Sequence, residues 1–150
     1  MWKWDEGREM INDVKKMDNI YELDWTEFPK EEENTLIKRV TEYYENNYNG
    51  FVERDDIGKV ILDEDSVKAS VWHKVRRNKA ISFKAVPEVI KKWKIVWWSK
   101  NRKGRWYDSY LIAAPITIKW DRYLCFVRIN SEWGENRYYL HNVVLENLTK

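Results

Sequence analysis

Between Lys94 and Leu145 the chain leaves no room for a crossover between strands. Residues 95–98, 107–118, 123–129 and 137–145 are rich in β-branched and aromatic side chains, and only residues 101–104, 120–121 and 130–136 stand between them as turns. A parallel return takes a dozen or more residues, usually a helix, so strands joined by turns this short pair antiparallel. The C-terminal part is therefore expected to be a four-stranded antiparallel meander.

The preceding residues read as helices. Met10, Ile11, Val14 and Met17 recur at helical spacing. Pro29 followed by Glu31, Glu32 and Glu33 suits a first turn, where proline forfeits no hydrogen bond and carboxylates face the positive end of the dipole. Leu36, Ile37, Val40, Tyr43, Tyr44 and Tyr48 carry that helix to Asn49-Gly50, a left-handed cap. Residues 59–62 suggest a short strand. Asp65 or Ser66 can cap a helix of about three turns whose apolar stripe is Val67, Val71 and Val75. Residues 79–85 are ambiguous, and Pro87 opens another short helix that buries Val86, Val89, Ile90 and Trp93. The expected fold class is α+β, with N-terminal helices packed on a four-stranded antiparallel sheet. Residues 1–65 form an acidic helical N-terminal extension and residues 66–150 an α+β domain, the two making one compact unit.

Charge is sorted along the chain. Residues 1–67 hold 9 Lys/Arg against 19 Asp/Glu, residues 68–105 hold 13 against the single Glu88, and residues 106–150 hold 5 against 5. The overall charge of +2 hides a basic middle. That block is interleaved with Trp72, Phe83, Trp93, Trp97, Trp98 and Trp106. Cations bind phosphates and aromatic faces stack on bases, so nucleic acid is the leading partner, although large rings more often simply fill a core. Cys125 is the only cysteine, which excludes an intramolecular disulfide and a cysteine-based metal cluster; a buried thiol in a reducing compartment is expected. No apolar run approaches the roughly 20 residues that span a bilayer, and no apolar leader follows the first residues. No membrane partner is expected, and a cytoplasmic location is.

Two histidines stand in polar settings. On a helix, Ser66, Ser70, His73 and Arg77 fall nearly opposite the valine stripe. On a strand, Arg137, Tyr139 and His141 share one face, with Tyr138, Leu140 and Asn142 on the other. The plain readings are a solvated helix face and a half-buried strand histidine. The sharper one is metal-independent RNA cleavage, in which the 2′-hydroxyl attacks the adjacent phosphate. Histidine, with a pKa near 6.5, serves as base and acid, and cations stabilise the phosphorane. His73 and His141 are the acid/base pair in this reading, with Lys79, Lys100, Arg102 and Arg105 neutralising phosphate. No phosphate-binding glycine loop, His-Glu-x-x-His or nucleophile elbow occurs, and Asp55-Asp56 and Asp63-Glu64-Asp65 lack metal-ligand spacing. No metal and no cofactor are expected.

Ser-Val-Lys-Ala-Ser-Val-Trp-His (66–73), Phe-Lys-Ala-Val-Pro-Glu-Val-Ile (83–90), Asp-Ser-Tyr-Leu-Ile-Ala-Ala-Pro-Ile-Thr-Ile (108–118) and Tyr-Tyr-Leu-His-Asn-Val-Val (138–144) together resemble phage-associated members of the Barnase–EndoU–colicin–RelE group of nuclease domains. The resemblance covers residues 66–148. It implies one or two helices on a four-stranded antiparallel sheet and a metal-independent RNase of toxin or phage-effector type. RNA, with tRNA one candidate, and a neutralising immunity or antitoxin protein would be the partners. Carried over by position, it implies catalytic roles for His73, His141, Tyr110 and Thr117. Lys100, Arg102 and Arg105 would hold phosphate by position alone, without a motif, and the residue reading adds Arg77, Lys79 and Tyr139 as substrate contacts. The alternative is a non-catalytic module of a phage or mobile-element protein that binds nucleic acid or protein.

Overall fold

The structure, a computed structural model, describes residues 4–17, 21–23, 32–71, 77–99, 108–131 and 137–148. In chain order they form α1 (Trp4–Lys15), β1 (Tyr21–Leu23), α2 (Glu33–Tyr48), β2 (Phe51–Arg54), β3 (Gly58–Ile61), α3 (Glu64–Ser70), α4 (Arg77–Ser82), α5 (Val86–Lys92), β4 (Lys94–Ser99), β5 (Ser109–Ile118), β6 (Asp121–Ser131) and β7 (Tyr138–Asn147).

The short turns have the expected result from β4 to β7, where each strand pairs antiparallel with the next. The sheet does not end there. β1 adds to β5 in parallel register (Tyr21↔Ile116), β3 adds in parallel to β7 (Val60↔Tyr138), and β2 pairs antiparallel outside β3. The result is a seven-stranded mixed sheet in the order β1-β5-β6-β7-β3-β2, with β4 on the same edge of β5 as β1. This corrects the expected four-stranded antiparallel sheet under N-terminal helices. Turn length decides how sequence neighbours pair but is silent on strands that arrive from afar, and a bare meander leaves open edges of unpaired N–H and C=O groups. β1 and β3, both from the first 65 residues, cover parts of those edges.

Strand alternation assigns the faces. Ile112, Ala114, Ile116 and Ile118 of β5, Cys125, Val127 and Ile129 of β6, and Leu140 and Val143 of β7 are buried. They join Leu36, Val40 and Tyr44 of α2, Val67 of α3 and Val86, Val89 and Ile90 of α5 in one core. Tyr44, fully buried, donates a hydrogen bond of 2.6 Å to the Phe83 carbonyl, so its hydroxyl is not left unsatisfied. The reverse face carries Leu111, Phe126, Arg128 and Val144 and is partly exposed. There α1 approaches β4 so closely that a Cβ on Gly7 would stand 2.8 Å from the Val96 carbonyl oxygen, which only glycine permits.

Local capping follows the sequence in one helix and departs from it in another. Asn49, at φ 59°, ends α2 as expected. The cap of α3 is Asp63 rather than Asp65 or Ser66, and its carboxylate accepts from Ser66 N at 2.9 Å and Ser66 Oγ at 2.8 Å. This helix spans only Glu64–Ser70, and Val75 lies outside the described residues. Ser66 and Ser70 are buried, contrary to an open polar face, because α3 packs against both α2 and β7. Their hydroxyls are satisfied locally, Ser70 Oγ donating to Ser66 O at 3.0 Å. Of the ambiguous residues 79–85, those up to Ser82 belong to α4 and the rest form the turn into α5. Among the described residues no helix is long and apolar enough to cross a membrane.

Candidate nucleic-acid interface

His141 sits in a β-bulge. The β6–β7 register passes from Arg128↔Asn142 to Ile129↔Leu140 and leaves His141 without an opposing residue. Tyr138 and Leu140 are buried before the bulge and Val143 after it, so the alternation expected through this strand breaks. Asn142, expected on the side of Leu140, stands opposite Arg128 on the reverse face instead. His141 is exposed and lines a cleft of about 190 Å³ with Tyr139, Leu140, Asn130 and Ser131 of the sheet and Asp65, Ser66 and Ala69 of α3. Partial desolvation, then the Arg128 guanidinium, holds its pKa below the ordinary histidine value. The shift favours the neutral ring, the form that can accept a proton.

The other sequence-derived residues divide into three groups. His73, Lys100, Arg102 and Arg105 lie outside the described residues, and Arg77 is the first residue of α4. Lys79 reaches the residue after the histidine: its Nζ is 3.4 Å from Asn142 Oδ1, and burial lowers its pKa. Tyr139 shares the cleft with His141. Tyr110 and Thr117 do not enter that cleft. Tyr110 packs edge-to-face on the buried Tyr138, with ring centroids 5.4 Å apart. Burial raises the Tyr138 pKa, and Tyr110 and Asp108 beside it raise it further. Thr117 pairs with Arg122, six residues along β6 from Arg128 and so roughly 20 Å from the bulge at strand spacing.

A larger cleft, about 630 Å³, opens along β4 and is lined chiefly by Arg54, Asp56, Lys92, Trp93, Lys94, Trp98 and Tyr110. Its construction is local in part. The end of α5 and the start of β4 deliver Lys92, Trp93 and Lys94 in succession, and the β4–β5 ladder sets Trp98 opposite Tyr110. Arg54 of β2 closes the floor. Its guanidinium donates to the carbonyls of Ile90, at 2.9 Å, and of Trp93, capping the C-terminal end of α5, and to Asp56 Oδ1 at 2.6 Å. Lys92 pairs with Glu88 at 3.6 Å, whereas Lys94 is exposed. Among the described residues the buried Trp93 Nε1 has no hydrogen-bond partner. Aromatic rings and ammonium groups together can hold a planar ring and its phosphate.

Sequence reasoning did not single out Arg54, Arg128, Lys92 or Lys94 individually. Arg128 had a signal, a lone charge in the apolar β6 run; Arg54 had none, because the two carbonyls it caps lie 36 and 39 residues away. Among the described residues no group of three or more His, Cys, Asp or Glu side chains is placed to hold a metal. No protein-family model, curated protein or solved structure matches the chain. The four-stranded sheet implied by the nuclease resemblance is not the sheet found here.

Proposed function

We propose that the protein binds single-stranded RNA, with the cleft along β4 as its principal contact. The observation that carries this reading is the placing of Trp98 and Tyr110 in one cleft with Lys92 and Lys94. Stacking of a base on an aromatic ring contributes about 1–3 kcal/mol and tolerates any base, while ammonium groups attract the backbone. The segment that supplies Lys92, Lys94 and Trp98, residues 68–105, holds 13 basic side chains against one acidic in sequence. Fluorescence anisotropy of a labelled single-stranded RNA should show binding that weakens with salt, the slope of log K against log salt being about −0.7 per neutralised phosphate. Lys94→Gln should reduce that slope, and Trp98→Ala should cost about tenfold or more in affinity. Absence of binding at low salt, or an unchanged slope in Lys94→Gln, would sink the reading.

RNA cleavage is the second reading, and His141 favours it. A neutral imidazole beside Tyr139 can take the 2′-hydroxyl proton as the 2′-oxygen attacks phosphorus and the 5′-oxygen leaves. Cleavage in EDTA yielding 2′,3′-cyclic phosphate ends, lost in His141→Ala, is the expected result. Binding without turnover would leave only the first reading.

A further inference from the structure

On the reverse face of the sheet one register row runs across the strands: Trp97 of β4 stands opposite Leu111, Leu111 opposite Arg128, and Arg128 opposite Asn142. The next row is Ala113, Phe126 and Val144. With Gly7, Ile11 and Val96, these two rows, apart from the buried Ala113, border a groove of about 600 Å³, in the range that takes a small organic ligand. It shares no lining residue with the cleft along β4. Val144, on its wall, is 50% exposed although apolar.

Arg128 breaks the apolar lining. Its guanidinium lies 5.5 Å from the Trp97 ring centroid. Among the described residues it forms no ion pair. A half-buried cation is ordinarily matched by an anion, because withdrawing charge from water is costly, and a π face offsets that cost only in part. Asn142 stands beside it. Its Oδ1 accepts from Val143 N at 2.9 Å and from Lys79 Nζ at 3.4 Å, which orients the amide and, among the described residues, leaves the Nδ2 hydrogens without an acceptor. A cation and an amide donor thus sit side by side in a lining that is otherwise aliphatic and aromatic.

We propose that this groove binds a small amphipathic carboxylate, its head on Arg128 and the Asn142 amide and its apolar body against Ile11, Leu111, Phe126 and Val144. A phosphodiester chain does not suit the site, since its charge repeats while the described lining of the groove offers one cation and an apolar remainder. The site is independent of the RNA-binding reading.

Isothermal titration of the full chain with decanoate, decan-1-ol and decyltrimethylammonium, each below its aggregation limit, tests the proposal. Decanoate should bind one to one and about tenfold or more tighter than decan-1-ol, as expected for charge-assisted hydrogen bonds, and the cation should not bind. Arg128→Gln should bring decanoate down to the level of decan-1-ol, whereas Arg128→Lys should retain most of the preference. Val144→Trp, which obstructs the groove, should weaken both ligands. The proposal is overturned if decanoate does not bind, if all three probes bind equally, or if decanoate affinity is unchanged in Val144→Trp. Should Arg128→Gln fail to fold, Arg128→Lys and Val144→Trp still decide the matter.

Discussion

Arg54→Met removes one guanidinium that ties β2 to the end of α5. The side chain is only 13% exposed, and it donates to the carbonyls of Ile90 and Trp93 at a helix terminus that has no further turn to satisfy them. Hydrogen bonds from a charged donor contribute roughly 1.5–3 kcal/mol each, but both carbonyls share Nη1 and are not counted twice. Asp56 is 57% exposed, so its pairing with Arg54 adds only about 0–1 kcal/mol. Methionine keeps most of the apolar stem. The expected loss is about 2–4 kcal/mol, which at a urea m-value of about 1–3 kcal/mol/M lowers the unfolding midpoint by about 1–2 M. Asp56→Asn should move it far less. A midpoint that shifts by under about 0.3 M in Arg54→Met, or an equal shift in Asp56→Asn, would refute the claim that carbonyl capping is the dominant contribution.

Gly7→Ala sets a Cβ 2.8 Å from the Val96 carbonyl oxygen, so it should destabilise by about 1–3 kcal/mol despite the better helix propensity of alanine, read as a lower melting temperature. His141 has a folded pKa below the unfolded value near 6.5, so the unfolded chain takes the proton first and stability falls as pH drops from about 6.5 through the folded pKa. His141→Gln should flatten urea midpoints across that window. Burial pushes the Cys125 thiol up to about 12, and it should resist a thiol-specific reagent in the native state yet react fully in urea. Rapid labelling of the folded protein would contradict its buried placement.

Sequence alone determined what depends on near neighbours: the antiparallel run from β4 to β7, dictated by turn length; the left-handed end of α2 at Asn49; and the proline-led α5. Each is set by sterics or hydrogen bonds within a few residues. The sorting of charge and the interleaved tryptophans were equally plain, and they pointed to Trp93 and Trp98, which line the cleft along β4.

Only the tertiary structure decided the rest. Parallel pairing of β1 with β5 and of β3 with β7 joins segments far apart in the chain, which no turn encodes. The bulge at His141 inserts one residue and reverses the facing of Asn142, a change invisible to a pattern of period two. Ser66 and Ser70 look like solvent-facing positions on an isolated helix, yet they are buried because α2 and β7 close on both sides of α3. Arg54 under the cleft and Arg128 in the groove owe their settings to neighbours delivered by other elements, since the surroundings of a side chain are a property of the packed molecule and not of its own segment.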